Sequence, residues 1–155
     1  MDIEKKLEEI IKMTEPAIDG LGYRIYHLEY VTEEGEEYLR FYIENKSGED
    51  ITLDDCEKVS RKVSDILDEK DPIDVQYFLE VSSPGLFKPL FNAEHIKAEI
   101  GERVEIKLNS DDKSKNRILG VLNSFENDIL KVETDKGLKE IEYKKVKSIN
   151  LDPEV

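Results

Sequence analysis

The chain predicts an α+β fold in two parts: an N-terminal α/β domain with two helices on a three-stranded sheet, then a small closed β-barrel. Three observations carry this reading. The first ninety residues alternate helical and strand periodicity, and after Gly101 only short strands follow, parted by turn signals. Between them, the stretch Tyr77-Phe78-Leu79-Glu80-Val81-Ser82-Ser83-Pro84-Gly85-Leu86-Phe87-Lys88-Pro89-Leu90 runs from a strand into a loop punctuated by two prolines and a glycine. The division is placed at 1–90 for the α/β domain and 91–155 for a linker helix and the barrel.

Ile3, Leu7, Ile10, Ile11, Ala17 and Ile18 recur at helical spacing until Gly20 and Gly22, with Pro16 expected to kink or split the helix. Tyr23 to Val31 reads as a strand whose apolar parity changes partway, which a bulge near Tyr26 reconciles. A charged turn, Glu33-Glu34-Gly35-Glu36-Glu37, leads into a second strand, Tyr38 to Glu44, with Leu39, Phe41 and Ile43 inward and Tyr38, Arg40 and Tyr42 outward. Thr52 caps the next helix, with Asp55 three residues on, and Cys56, Val59, Val63, Ile66 and Leu67 form its apolar stripe before Pro72. Val75, Tyr77, Leu79 and Val81 fall on one face of a third strand. In the loop beyond it, Pro84 fixes its own φ and Gly85 permits a positive one. The loop, Ser82, Ser83, Pro84, Gly85, Leu86 and Pro89, reads either as a stiff elbow between packed units or as an ordinary strand-to-helix turn.

Residues 91 to 100 hold Phe91, Ile96 and Ile100 in a short linker helix. Five strands follow, at Val104 to Leu108, Ile118 to Leu122, Ile129 to Val132, Leu138 to Ile141, and Ile149 with Leu151. Asn109 to Asn116, Glu126-Asn127-Asp128, Asp135-Lys136-Gly137 and Tyr143-Lys144-Lys145 supply the turns, and Gly120 marks a corner or bulge. Five strands in about fifty residues suit a small barrel.

Charge is distributed unevenly. Of a formal net charge of -14, residues 1 to 90 carry 23 acidic against 11 basic residues, a net of -12, and residues 91 to 155 carry 14 against 12, a net of -2. Such a field opposes the binding of bare nucleic acid by the first part and suits a basic protein partner, or it serves solubility alone. No apolar run approaches a membrane span, and the N-terminus lacks a secretory pattern. The single Cys56 excludes an intramolecular disulfide, and a cytoplasmic location is expected.

Reactive constellations are not found. His27 and His95 are the two histidines and make no zinc spacing with Cys56; Ser82 and Ser83 lack a basic partner; Asp54-Asp55 and Asp111-Asp112 are adjacent acids that diverge. No catalytic residue, metal ligand or cofactor is therefore assigned. What remains are binding surfaces. Tyr38, Arg40 and Tyr42 form either an aromatic and cationic platform or a face packed under helices. On the barrel, Arg103, Lys107, Lys113, Lys115, Arg117, Lys144, Lys145 and Lys147 form a cationic set, diluted by Glu105 and the Asp111-Asp112 pair, that meets RNA or is a solvated rim.

The segment Leu79-Glu80-Val81-Ser82-Ser83-Pro84-Gly85, followed by Leu86 and by Pro89-Leu90, resembles the signature of the bacterial ribosome maturation factor RimP family. It departs at Phe87-Lys88, where many members carry an acidic residue followed by arginine. The resemblance extends through Ile51 to Cys56, Val59-Ser60-Arg61, Gly120 to Phe125 and Ile141 to Leu151. It implies the same two-domain division, a C-terminal barrel of the SH3-like or Sm-like kind, and no enzymatic activity. It further implies binding to the free, immature small (30S) ribosomal subunit during late assembly, with contacts to ribosomal RNA and to ribosomal protein number twelve of that subunit. The chain is expected to act as a monomer without a small-molecule substrate. Two other readings stay open: a stand-alone Sm-like RNA-binding protein, and a small hydrolase using Ser82 or Ser83.

Overall fold

A computed structural model describes residues 2–109 and 116–153. The chain divides into two compact units, Met1–Pro84 and Gly85–Val155.

In the first unit, helix α1 (Ile3–Gly20) is capped by Asp2, whose side chain accepts from the backbone N–H of Lys5. The helix continues through Pro16 instead of splitting. Its missing N–H costs one ladder bond, and Thr14 and Ile18 are buried on either side of it, so packing holds the last turn. Strands β1 (Tyr23–Glu33) and β2 (Glu36–Asn45) form an antiparallel hairpin. Glu34 and Gly35 both take positive φ, as a two-residue hairpin turn requires. The register slips between Ile25 and His27, which places the bulge at Tyr26 as the parity change demanded.

Helix α2 (Leu53–Lys70) starts in a full capping box: the Thr52 hydroxyl accepts from the Asp55 N–H, and the Asp55 carboxylate accepts from the Thr52 N–H. Strand β3 (Phe78–Ser82) pairs in parallel with β2, giving the order β1-β2-β3. The strand begins at Phe78, three residues later than the alternation from Val75 suggested, and Val75 is exposed. In the parallel register Tyr38 faces Phe78, so Val75 would stand opposite Gly35 in the hairpin turn, where β2 has not yet begun. Ile10, Ile18, Leu39, Phe41, Ile43, Val59 and Val63 are fully buried in one core that joins both helices to the sheet.

The second unit opens with the loop after Ser83. Gly85 has φ of 84°. Residues 85–90, grouped with the first part by sequence, bond instead to the last strand, β8 (Val146–Leu151): Leu90 donates to Ile149, Leu151 donates to Lys88, and Pro89 bridges to Asn150. Helix α3 (Ala93–Ala98) is capped by Asn92. Strands β4 (Arg103–Leu108), β5 (Arg117–Glu126), β6 (Ile129–Thr134) and β7 (Gly137–Glu142) form an antiparallel meander. A single 3-10 turn at Tyr143–Lys145 then leads to β8, which pairs with β4.

The resulting order is β7-β6-β5-β4-β8, and among the described residues β7 does not pair with β8. The expected closed barrel is therefore an open five-stranded sheet. Along β7 only Ile141 is buried, and Leu138 is exposed. Gly120 is not a bulge; the slip in β5 falls between Leu122 and Ser124. Its lack of a side chain serves close approach, because a Cβ there would crowd the Glu133 carbonyl and lie 2.8 Å from Val132 Cγ1. Val104, Ile106, Leu122, Leu130 and Val132 fill the unit's separate core. Lys113, Lys115 and the Asp111-Asp112 pair lie outside the described residues.

Candidate functional site

Strand alternation sends Leu39, Phe41 and Ile43 into the helix-covered core, so Tyr38, Arg40 and Tyr42 lie on the opposite face of the sheet. Register then decides their neighbours. Arg40 stands between Glu29 of β1 and Glu80 of β3, and Tyr38 between Val31 and Phe78. The Arg40 guanidinium donates to Glu80 at 2.7 Å, to Glu29 at 2.9 Å and to both oxygens of Glu33 at 3.2 Å. Its side chain is 15% exposed, and these carboxylates, Glu33 and Glu80 foremost, hold its proton more tightly than usual.

One guanidinium among three carboxylates leaves the patch acidic. The expected cationic platform therefore lacks a spare cation at Arg40, although its aromatic half is present: Tyr38 and Phe78 rings lie 5.7 Å apart, and Arg40 stacks 5.8 Å from the Tyr38 centroid. Burial, and then the charge of Glu29, raises the ionisation of Tyr42 above the ordinary phenol. The functional signal missed by sequence reasoning is the set Glu29, Glu33 and Glu80: cross-strand register places Glu29 and Glu80 opposite Arg40, and Glu33 lies four residues along β1 from Glu29 on the same face.

On the second unit, β4 and β5 bring Arg103 and Arg117 to one hollow of about 600 Å³, together with Lys136, Lys139, Glu133 and Asp135. Arg103 pairs with Asp152 at 3.4 Å and Arg117 with Glu105 at 2.7 Å, while Lys107 lies 3.8 Å from Glu105. Lys145 pairs with Glu142 at 3.0 Å, which holds that carboxyl below the ordinary glutamate range. Lys136, Lys139 and Lys144 make no ion pair among the described residues. Lys136 and Lys139 belong to the hollow, yet they sit in a turn and an edge strand whose position only the fold reveals.

The other candidates have local roles. His95 accepts the Phe91 N–H at 3.1 Å through Nδ1, and burial raises the Cys56 thiol above its ordinary value. Lys88, at the place where the signature departs, pairs with Glu99 at 3.4 Å. Among the described residues, no group of three His, Cys, Asp or Glu is placed to hold a metal, and no helix is long and apolar enough to cross a membrane.

The two units thus present paired and unpaired charge, with aromatic rings on one sheet face of the first. Residues 13–87 match the family model of the RimP N-terminal domain, a span that runs from within α1 to just past Gly85. By this match residues 13–87 carry the N-terminal domain of the RimP family, a family of ribosome maturation factors.

Proposed function

We propose that this chain binds the free, immature small ribosomal subunit in the bacterial cytoplasm and promotes its late assembly. The observation that carries this reading is the RimP N-terminal domain match over residues 13–87, which contains the whole Leu79 to Gly85 signature. A factor of this kind works by preferring one conformation of the particle, and the population shift it produces cannot exceed that difference in affinity.

The second unit is read as an SH3-like or Sm-like barrel, with residues 85–90 counted to it and not to the first domain. The order β7-β6-β5-β4-β8, with a meander whose fifth strand returns to the first after a 3-10 turn, supports that reading despite the open seam. Its contacts are proposed to be ribosomal protein number twelve of the small subunit and ribosomal RNA, with Arg103, Lys107, Arg117, Lys144 and Lys145 as the candidate cations. Tyr38 and Tyr42 contribute through an acidic, aromatic sheet face.

Gradient fractionation of cell lysate tests this directly. The chain should run with free small subunits and be absent from whole ribosomes; its absence from every subunit fraction would overturn the reading. The four cations around the second unit's hollow favour one alternative, a stand-alone RNA-binding protein. In that case bare ribosomal RNA would bind as tightly as precursor particles, with a salt slope of roughly 0.7 to 0.9 per phosphate contacted.

A further inference from the structure

The first unit holds a groove of about 410 Å³ where the end of α2 meets the entry to β3. Leu67 and Ile73, both buried, and the half-buried Tyr77 and Leu79 form its apolar floor, and the exposed Val75 stands at its rim. Asp68, Asp71 and Asp74 line it as well, and none of the three makes an ion pair among the described residues.

These carboxylates are placed against local electrostatics. Asp68 and Asp71 sit at the C-terminal end of the 18-residue α2, where the helix dipole already presents partial negative charge and cations are favoured. Lys70 is the one basic residue of that last turn. The negative helix end and three unpaired carboxylates converge on a groove whose other lining mixes Leu67, Ile73, Val75 and Leu79 with Ser64, Gln76 and Tyr77. Beside it runs β3, an edge strand with β2 as its one sheet neighbour among the described residues. A free edge favours an extended occupant.

We propose that this groove docks an extended protein segment rich in arginine or lysine and interspersed with aliphatic residues. A cationic head would lie among Asp68, Asp71 and Asp74, its alkyl stem would cover Tyr77 and Leu67, and an adjacent apolar side chain would meet Val75. The phosphate backbone of RNA is disfavoured by the same charges. The proposal goes beyond subunit binding, and its test contains no ribosomal particle, so either can fail alone.

The full chain is titrated with a short peptide alternating arginine and valine, followed by fluorescence anisotropy and by amide chemical shifts. Shifts should centre on residues 64–79. The D68N/D71N/D74N variant should bind at least about tenfold more weakly, and Val75→Gln several-fold more weakly with an unchanged melting temperature. Equal affinity in the triple variant, shifts centred elsewhere, or no effect of Val75→Gln would overturn the proposal. So would spermidine binding as tightly as the peptide, since that would make the groove a general polycation sink.

Discussion

Two glycines separate backbone strain from crowding. At Gly85, φ is 84° and an added Cβ would meet nothing within 4 Å. Gly85→Ala should therefore cost only the left-handed backbone penalty, about 1–2 kcal/mol in denaturant unfolding. Gly120 has an ordinary φ but faces the backbone of β6, so Gly120→Ala must move one strand or the other; a loss of about 1–3 kcal/mol or more is expected by the same measurement. Tyr23 gives a pH test. Its hydroxyl donates to Asp55, and that bond, aided by burial, pushes the phenol from 10.0 up to about 12, while Asp55 is held below its ordinary value. A raised folded pKa means a contribution that is complete below about pH 10 and lost as pH rises through about 12. For Asp55 the contribution is present above the ordinary carboxylate value of 3.8 and lost as pH falls through its lower folded value. The stability gap between wild type and Tyr23→Phe should thus stay constant near neutrality and shrink above pH 10. A gap that widened there would contradict the assigned bond.

At the level of elements, most of what was legible came from local chemistry. The capping box at Thr52 and Asp55 needs only two residues at the right spacing, and both its bonds form. Thr52→Ala should destabilise the chain by about 0.5–2 kcal/mol in thermal or denaturant unfolding. The bulge at Tyr26 was readable because a strand cannot change its apolar parity without an extra residue. Illegible were the features that depend on which strands become neighbours. Nothing in residues 78–82 states that they run parallel to β2, and without that register Glu80 cannot be assigned to Arg40. The hollow lined by Lys136 and Lys139 depends in the same way on β7 folding back along β6. Five correctly placed strands also left the seam undecided, because closure requires a strand tilt and register stagger that strand count does not state.

On the scale of the whole chain, a net charge of -14 with most of it in residues 1 to 90 sets up a contest between repulsion and pairing. Uncompensated carboxylates repel one another and favour the expanded state. Opposing this are ion pairs, of which Arg40 with Glu29 is a sheltered one, at 15% and 19% exposed. Salt discriminates between them, because the screening length falls from about 10 Å at 0.1 M to about 3 Å at 1 M, while partly buried pairs are screened far less. Exposed pairs such as Lys6 with Glu9 contribute little at any salt concentration. Repulsion is thus the larger salt-sensitive term, and the melting temperature should rise by a few degrees as KCl increases across that range. The rise should be reported mainly by probes in residues 1 to 84, where tyrosine fluorescence or amide exchange of β1 and β2 can follow it. Arg40→Met in the same series should lower stability at every salt concentration and steepen the rise, since it leaves Glu29, Glu33 and Glu80 facing one another without a cation. A melting temperature that fell with salt in the wild-type chain would mean that pairing, not repulsion, dominates the first unit.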